Sequence, residues 1–158
     1  MSSRLDDVDA PPSSRSYDAG KKVKGRKRHL VTDMLGLLLA VTVLSADIQD
    51  RDAALPIARQ ACLDHPTIEA FIVDSGYSGK CAQLLRDSLK VEVEVVRRPQ
   101  GQKGWITLPK RWIIERTNAW TLRFRRLIVD HDRKTSVSES WIWLAQSSIL
   151  LNRLGNHS

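Results

Sequence analysis

The sequence has no hydrophobic run long enough to cross a membrane. Its longest apolar stretch, Leu35 to Leu44, is interrupted by Gly36 and Thr42. It falls short of the roughly 18 to 20 residues that a membrane-spanning helix needs. The start of the chain carries Asp, Ser and Pro where a secretory signal would have a basic and then an apolar segment. We therefore expect a cytoplasmic protein that does not enter a membrane.

Cysteine is also scarce. Cys62 and Cys81 are the only two, and they lie in separate predicted helices. Neither has a Cys-x-x-Cys or histidine partner at the spacing of metal ligands, which argues against a zinc site. We expect both to be reduced residues that contribute to packing.

Positive charge, in contrast, is in excess. The 158 residues include 25 Lys and Arg against 18 Asp and Glu, a net charge of +7. With 42% apolar residues and five tryptophans, the chain can bury the core of one domain. A basic domain of this kind predicts an anionic partner, most commonly a nucleic acid.

The pattern of apolar residues predicts an α/β protein with a mixed sheet and helices on its faces. Residues 1–16 are poor in apolar side chains and are expected to form a disordered leader, so that the domain covers residues 17–155. The predicted elements are strands Leu30–Thr32 and Leu37–Ser45 joined by a turn at 33–36, helix Arg51–His65, strand Ala70–Val73, helix Lys80–Leu89, strand Val91–Val96, and helices Lys110–Leu127 and about Ser138–Leu154.

Asp74 directly follows the strand Ala70–Val73, and Gly76 and Gly79 come shortly after it. The carboxyl end of a strand is where open α/β sheets place functional groups, and glycines permit close backbone approach. An aspartate at a strand-to-helix junction can equally serve as a turn or cap residue. Position alone leaves these two interpretations balanced.

Glu115 lies on the side of its predicted helix that faces away from the apolar stripe. A carboxylate there, together with one from another element, could hold the Mg²⁺ ions that catalyse phosphodiester chemistry. The alternative is a surface pair with Arg111, worth only a few tenths of a kcal/mol. The residues alone favour the surface pair. The predicted stripe consists of Ile113, Trp120, Phe124, Leu127 and Ile128.

Several basic and aromatic residues are candidates for contact with DNA. Six cations between positions 21 and 28 would release several counterions on DNA, although they could also form a solvated flexible arm. Trp105 lies beside Gly104 in the cationic segment Arg97–Pro109, where it could stack on a base or sugar. The six cations are Lys21, Lys22, Lys24, Arg26, Lys27 and Arg28.

Four motifs then occur in a fixed order along the chain. Together they resemble the bacterial insertion-sequence transposases of the DDE type, and the insertion sequence five group in particular. The resemblance extends from about Tyr17 to Leu154, nearly the whole chain. The motifs are Tyr17 to His29, Ala46-Asp47 with Gln49-Asp50-Arg51-Asp52, Asp74-Ser75-Gly76-Tyr77, and Arg111-Trp112 through Arg116 with Trp120.

The resemblance implies an RNase H-like fold and metal-dependent cleavage and strand transfer at insertion-sequence ends. In that family two Asp and one Glu bind two Mg²⁺ ions, for which Mn²⁺ can substitute. Asp74 matches the second Asp, Glu115 matches the Glu, and Arg111 matches the arginine four residues before it. Arg116 is taken as a further DNA contact. The implied partners are double-stranded DNA and the terminal repeats of the insertion sequence.

The chain departs from the family's pattern at its start and at Leu108. The family's first Asp lies on the first strand of the sheet, upstream of the match to Tyr17, and no comparable apolar segment occurs here. Leu108 stands where the family has a tyrosine. We therefore expect a partial catalytic domain without its first strand. It would be completed by an upstream polypeptide or a second copy, or would act as an inactive DNA-binding fragment or regulator.

Overall fold

The computed structural model describes residues 16–18, 23–97 and 110–155, with side chains from Gly25 onward except that of Arg111. Three described strands come first, helices and strands then alternate, and two helices come last. Short 3-10 turns at Ser75–Tyr77 and Arg125–Leu127 add to the regular elements. The elements are β1 Ser16–Asp18, β2 Val23–Thr32, β3 Leu38–Ser45, α1 Asp50–Asp64, β4 Ala70–Asp74, α2 Lys80–Leu89, β5 Glu92–Val96, α3 Arg111–Thr121 and α4 Thr135–Gly155.

The mixed α/β class is confirmed, but the described strands form two small sheets instead of the one sheet expected. β1, β2 and β3 make an antiparallel sheet in that order, and β4 pairs with β5 in parallel. Within residues 16–18, 23–97 and 110–155, no strand pairs with both β2 and β4. An apolar pattern identifies a strand but does not say which other strand lies beside it, so pairing was the part of the prediction most open to error.

β2 begins seven residues earlier than the predicted strand and includes most of the basic run. Successive side chains of a strand point to opposite faces, so the cations divide between two surroundings. Lys27 lies toward the start of α1, where it donates to the carbonyl of Ile48 at 3.1 Å. Arg26 points the other way and is bonded to Asp130. The flexible-arm interpretation therefore does not hold for residues 23–28, while Lys21 and Lys22 lie outside the described residues.

The helices α1 and α2 agree closely with prediction, whereas α3 ends at Thr121, before the expected Leu127. Phe124 adopts an extended conformation that breaks the helix, and a 3-10 turn follows. Leu127 still reaches the core from this turn, but Ile128 is 60% exposed and is not part of the apolar stripe to which it was assigned.

Helix α1 packs against both sheets. Ile57 and Ala61 contact Val31 of β2 and Phe71 of β4 in one apolar cluster. A second cluster, around Val43, Leu127 and Ile142, lies where α4 and the 3-10 turn after Phe124 pack on β3. The alanines of α1 let the strands approach the helix closely.

In the described part of the chain, no helix is long and apolar enough to span a membrane.

The turn between β2 and β3 lies where it was predicted, and α3 holds it in place. The Asp33 carboxylate accepts hydrogen bonds from the backbone N–H groups of Leu35 and Leu37. Gly36 has a φ of +79°, and its carbonyl accepts a 2.9 Å hydrogen bond from the buried Thr117 hydroxyl. The carbonyl of Leu35 accepts another from Arg116 at 2.8 Å. Gly36 therefore serves both the turn and the docking of α3.

We predict that Gly36→Ala lowers the free energy of unfolding by about 1–3 kcal/mol, because a side chain is strained at this φ. A methyl group there would also lie 2.8 Å from Thr117 Oγ1. Gly25→Ala is the matched control, since nothing lies within 4 Å of its added methyl group. Urea unfolding of both variants measures the difference. Equal stabilities would show that the turn does not depend on Gly36.

Candidate functional site

Asp74 ends β4 and caps the turn that follows it. Its Oδ1 accepts a 2.7 Å hydrogen bond from the backbone N–H of Gly76, so the cap role considered from the sequence is confirmed. The residue is nevertheless exposed, and Oδ2 has no hydrogen-bond partner among the described residues. A methyl group at Gly76 would lie 2.8 Å from Oδ1, so glycine leaves the space that the carboxylate occupies. Capping therefore fixes one oxygen and leaves the other available to a ligand.

The beginning of α1 lies against this turn. Arg51 Nε donates to the carbonyl of Gly76 at 2.6 Å, so the Gly76 residue is held at its N–H by Asp74 and at its carbonyl by Arg51. Lys27 Nζ lies 3.4 Å from Asp50 Oδ1. β2, α1 and the end of β4 thus meet at one place, through side chains that are far apart in sequence.

A cleft of about 440 Å³ lies at this meeting point. Two carboxylates and two cationic side chains face it, which makes it unlike the mainly apolar pockets that bind small neutral ligands. Such a lining suits a ligand that carries negative charge or a metal ion. The residues that line the cleft are Lys27, Gln49, Asp50, Arg51, Asp74, Gly76 and Tyr77.

Tyr77 lines the cleft together with the two carboxylates. Burial, followed by the negative charges of Asp50 and Asp74 and a contribution from Cys81, raises the pKa of Tyr77 to about 12. The phenol therefore keeps its proton at neutral pH and can act as a hydrogen-bond donor. Neighbouring His29 has a pKa lowered by burial, an effect that Asp50 partly opposes.

Glu115 is exposed on α3, which begins beside the smaller sheet. Lys110, just before α3, forms a 3.0 Å salt bridge with Glu94 of β5, and Glu94 lies opposite Ile72 in the β4–β5 register. Among the side chains that the structure describes, no three Asp, Glu, His or Cys converge as a metal site. The assignment of Asp74 and Glu115 as metal ligands therefore stays a prediction.

Two of the cations expected at DNA are engaged inside the protein. Arg26 has a side chain only 3% exposed and donates to Asp130 and to the carbonyls of Asp132 and Arg133. Arg116 lies between the rings of Trp112 and Trp120, 4.3 and 4.6 Å from their centroids. These contacts show that both side chains bind within the protein, and their role as DNA contacts stays a prediction. A run of charged residues in a sequence does not show which cations are exposed and which hold the fold together.

The remaining candidates are distributed as follows. Lys27 lines the cleft, and Arg28 is half-buried on the same face of β2 as Arg26. Lys21, Lys22 and Trp105 lie outside the described residues, as do the side chains of Lys24 and Arg111. Predictions for these five residues are neither supported nor contradicted.

Sequence reasoning gave no role to Asp50, Arg51 or Tyr77. All three belong to motifs that were identified. The signal that connects them is the contact between the start of α1 and the turn after β4, which spans 25 residues of sequence. No local pattern reports a contact of that kind.

Comparison with known proteins adds an independent observation. Residues 6–150 match the family model described as Transposase DDE domain. The chain is 32% identical, over 139 residues, to a Burkholderia cepacia protein named as a candidate transposase for insertion sequence element IS402. The match covers 82% of this chain and 64% of that relative, so the chain spans somewhat less than two thirds of the relative's length. No solved structure shows significant similarity to the chain.

The charges around Tyr77 predict its titration. In a Tyr17→Phe background Tyr77 is the only tyrosine, and we expect its pKa near 12, above the ordinary value of about 10. Asp50→Asn and Asp74→Asn should each lower that pKa, because each removes a negative charge that disfavours the phenolate. Tyrosinate absorbance measures the titration, and tryptophan fluorescence verifies that the protein stays folded. Asp87→Asn, on the exposed side of α2, is the control. An unshifted pKa in both cleft variants would show that neither carboxylate influences the ionisation of Tyr77.

Proposed function

Because the chain belongs to the transposase DDE domain family, we propose that it is the catalytic-core portion of an insertion-sequence transposase. Its reaction would be metal-dependent cleavage and strand transfer of double-stranded DNA at the terminal repeats, in the cytoplasm. The observation that carries this proposal is Asp74, whose exposed carboxylate faces a charged cleft at the end of β4. A strand end of this kind is where α/β proteins commonly place reactive groups.

Asp74 is suited to be one ligand of a divalent cation. One of its oxygens is oriented by Gly76, and carboxylate oxygen is the donor that Mg²⁺ and Mn²⁺ prefer. Glu115, exposed on α3, is proposed as another ligand, with Arg111 four residues before it. When bound, the divalent cations would activate the attacking oxygen and stabilise the leaving oxygen. Lys27 and Arg51 would orient the DNA backbone at the mouth of the cleft.

The two small sheets are proposed to be parts of one RNase H-like sheet. Val31 of β2 and Phe71 of β4 pack against one apolar cluster, which contains Ile57 and Ala61 of α1 and Ala40 of β3. In the described residues, β2 from Arg26 to Thr32 pairs only with β3, and β4 pairs only with β5. An added strand, from an upstream polypeptide or a second copy, could pair with both exposed edges. The first acidic residue of the family's triad, carried by that added strand, would then lie beside Asp74.

A second function is favoured by the distribution of charge. In the part of the chain that is described, three acids do not converge, while several arginines are exposed. A chain with cationic surfaces but no complete metal site could bind DNA without cleaving it. It would then act as a regulator that occupies insertion-sequence ends or joins a full-length partner.

The two functions are separated by joining this chain to the corresponding N-terminal region of the Burkholderia relative and testing DNA that carries insertion-sequence ends. With Mg²⁺ or Mn²⁺ we expect nicking at the ends. Asp74→Ala and Glu115→Ala should each reduce it by more than about 100-fold, since even outer-shell partners of a metal site contribute about 10–100-fold.

Asp87→Ala and Glu92→Ala change exposed acids elsewhere and should retain the activity. Undiminished nicking by Asp74→Ala or Glu115→Ala would reject these residues as metal ligands. Salt-dependent DNA binding without nicking under any metal condition would instead support the regulatory function.

A further inference from the structure

The segment between α3 and α4, residues 122–134, carries a concentration of positive charge that the proposed site does not use. We call it the basic loop. It contains five cationic and only two acidic residues. Arg123, Arg125 and Arg133 are exposed, and the described residues offer their side chains no hydrogen bond or ion pair. Their guanidinium groups are therefore available to an external anion.

The two acids of the basic loop point inward and do not neutralise these arginines. The side chain of Asp130 is 17% exposed and that of Asp132 is 11% exposed. Asp130 accepts hydrogen bonds from the Ser138 hydroxyl and the Asp132 N–H, and it pairs with Arg26. Burial alone would raise the pKa of Asp130, but these partners outweigh it, so the pKa is lowered and the carboxylate stays charged. Asp132 is paired with Arg126.

Arg26 fixes the backbone of the basic loop. Its guanidinium contacts the Asp130 carboxylate at 3.3 Å and donates to the carbonyls of Asp132 at 2.9 Å and Arg133 at 2.7 Å. Ser138, which is 2% exposed, ties the same carboxylate to α4. The loop is therefore attached to β2 and to α4, and its exposed arginines are presented from a held backbone. A preorganised cationic surface loses less entropy on binding than a flexible tail does.

The basic loop lies on the opposite side of β2 from the cleft. Neighbouring strand residues point to opposite faces, and here Lys27 lines the cleft while Arg26 holds the loop. The loop is thus a second cationic surface, separated from the cleft by the thickness of the sheet.

We propose that the basic loop binds the phosphate backbone of double-stranded DNA through Arg123, Arg125 and Arg133, as a contact separate from the cleft. This inference rests on the proposed function, which makes DNA the partner. Arginine suits the role because its planar fork of N–H groups matches phosphate oxygens. The loop also exposes Ile128 and Val129, so an anionic lipid surface is the alternative that the experiment must separate.

The test is a DNA-binding titration of the full chain on a duplex of arbitrary sequence at several salt concentrations. The double variant Arg125→Glu with Arg133→Glu should bind more weakly. Its slope of log affinity against log salt should fall by about 0.9 for each phosphate that the protein no longer neutralises. The matched control is Arg59→Glu with Lys90→Glu, which makes the same charge change at exposed positions of α1 and at the end of α2. The control should retain the original slope, and thermal melting verifies that both variants fold.

An equal decrease of affinity in both double variants would overturn the proposal, because the effect would then follow net charge and not the basic loop. An unchanged slope in the loop variant, with a reduced slope in Lys27→Glu, would overturn it while leaving the proposed function in place. Absence of DNA binding by the unmodified chain at any salt would overturn both. Loop-dependent binding to phosphatidylserine vesicles with unaltered DNA binding would assign the surface to a membrane instead.

Discussion

The ion pair between Arg26 and Asp130 holds the three-stranded sheet to the chain segment that leads into α4. It joins β2 to the segment before α4 across 104 positions of sequence, with both side chains mostly removed from solvent. A buried pair of this kind is a net stabiliser only if its remaining polar atoms are also satisfied. Here Ser138 and the Asp132 N–H donate to the carboxylate and two backbone carbonyls accept from the guanidinium, while the buried Arg26 Nε makes no hydrogen bond among the described residues. Removal of one charge from such a pair typically lowers the free energy of unfolding by about 3–5 kcal/mol. Substitution of either residue alone would therefore destabilise the fold.

The consequence for function comes from the strand on which Arg26 lies. Consecutive residues of β2 reach both of the surfaces for which functions are proposed, Arg26 toward the basic loop and Lys27 toward the cleft. A shift of register by one residue would exchange the two faces and place each cation in the wrong surroundings. The pairing of β2 with β3, from Arg26 opposite Ser45 onward, prevents that shift. The basic run of the sequence is therefore partly a structural strand.

Local sequence patterns predicted an element well where its bounds depend only on residues nearby in the sequence. The bounds of α2 agree because Gly79 starts the helix at a φ of +70° and Cys81, Ala82 and Leu85 form its buried face. The end of α3 was missed because Phe124 leaves the helix although Leu127 stays buried, so an apolar stripe continued past the helix. Asp74 could be identified from the end of its strand. Asp50 and Tyr77 could not be assigned to its cleft, since their proximity depends on how α1 packs beside β4.

Because the two sheets are separate, a strand that joined them would complete both the fold and the proposed site. Val31 of β2 and Phe71 of β4 pack against one apolar cluster of α1 and β3 residues, and such packing fixes distance but not hydrogen-bond register. Asp74 and Lys27 line the cleft from these two strands, so their spacing depends on the same contacts. A strand paired with both edges would replace nondirectional packing by a ladder of directional hydrogen bonds. It would set the position of Asp74 relative to Lys27 in the same step as it introduced a further acid. Under the proposed function, folding of the complete sheet and assembly of the metal site would then be one event.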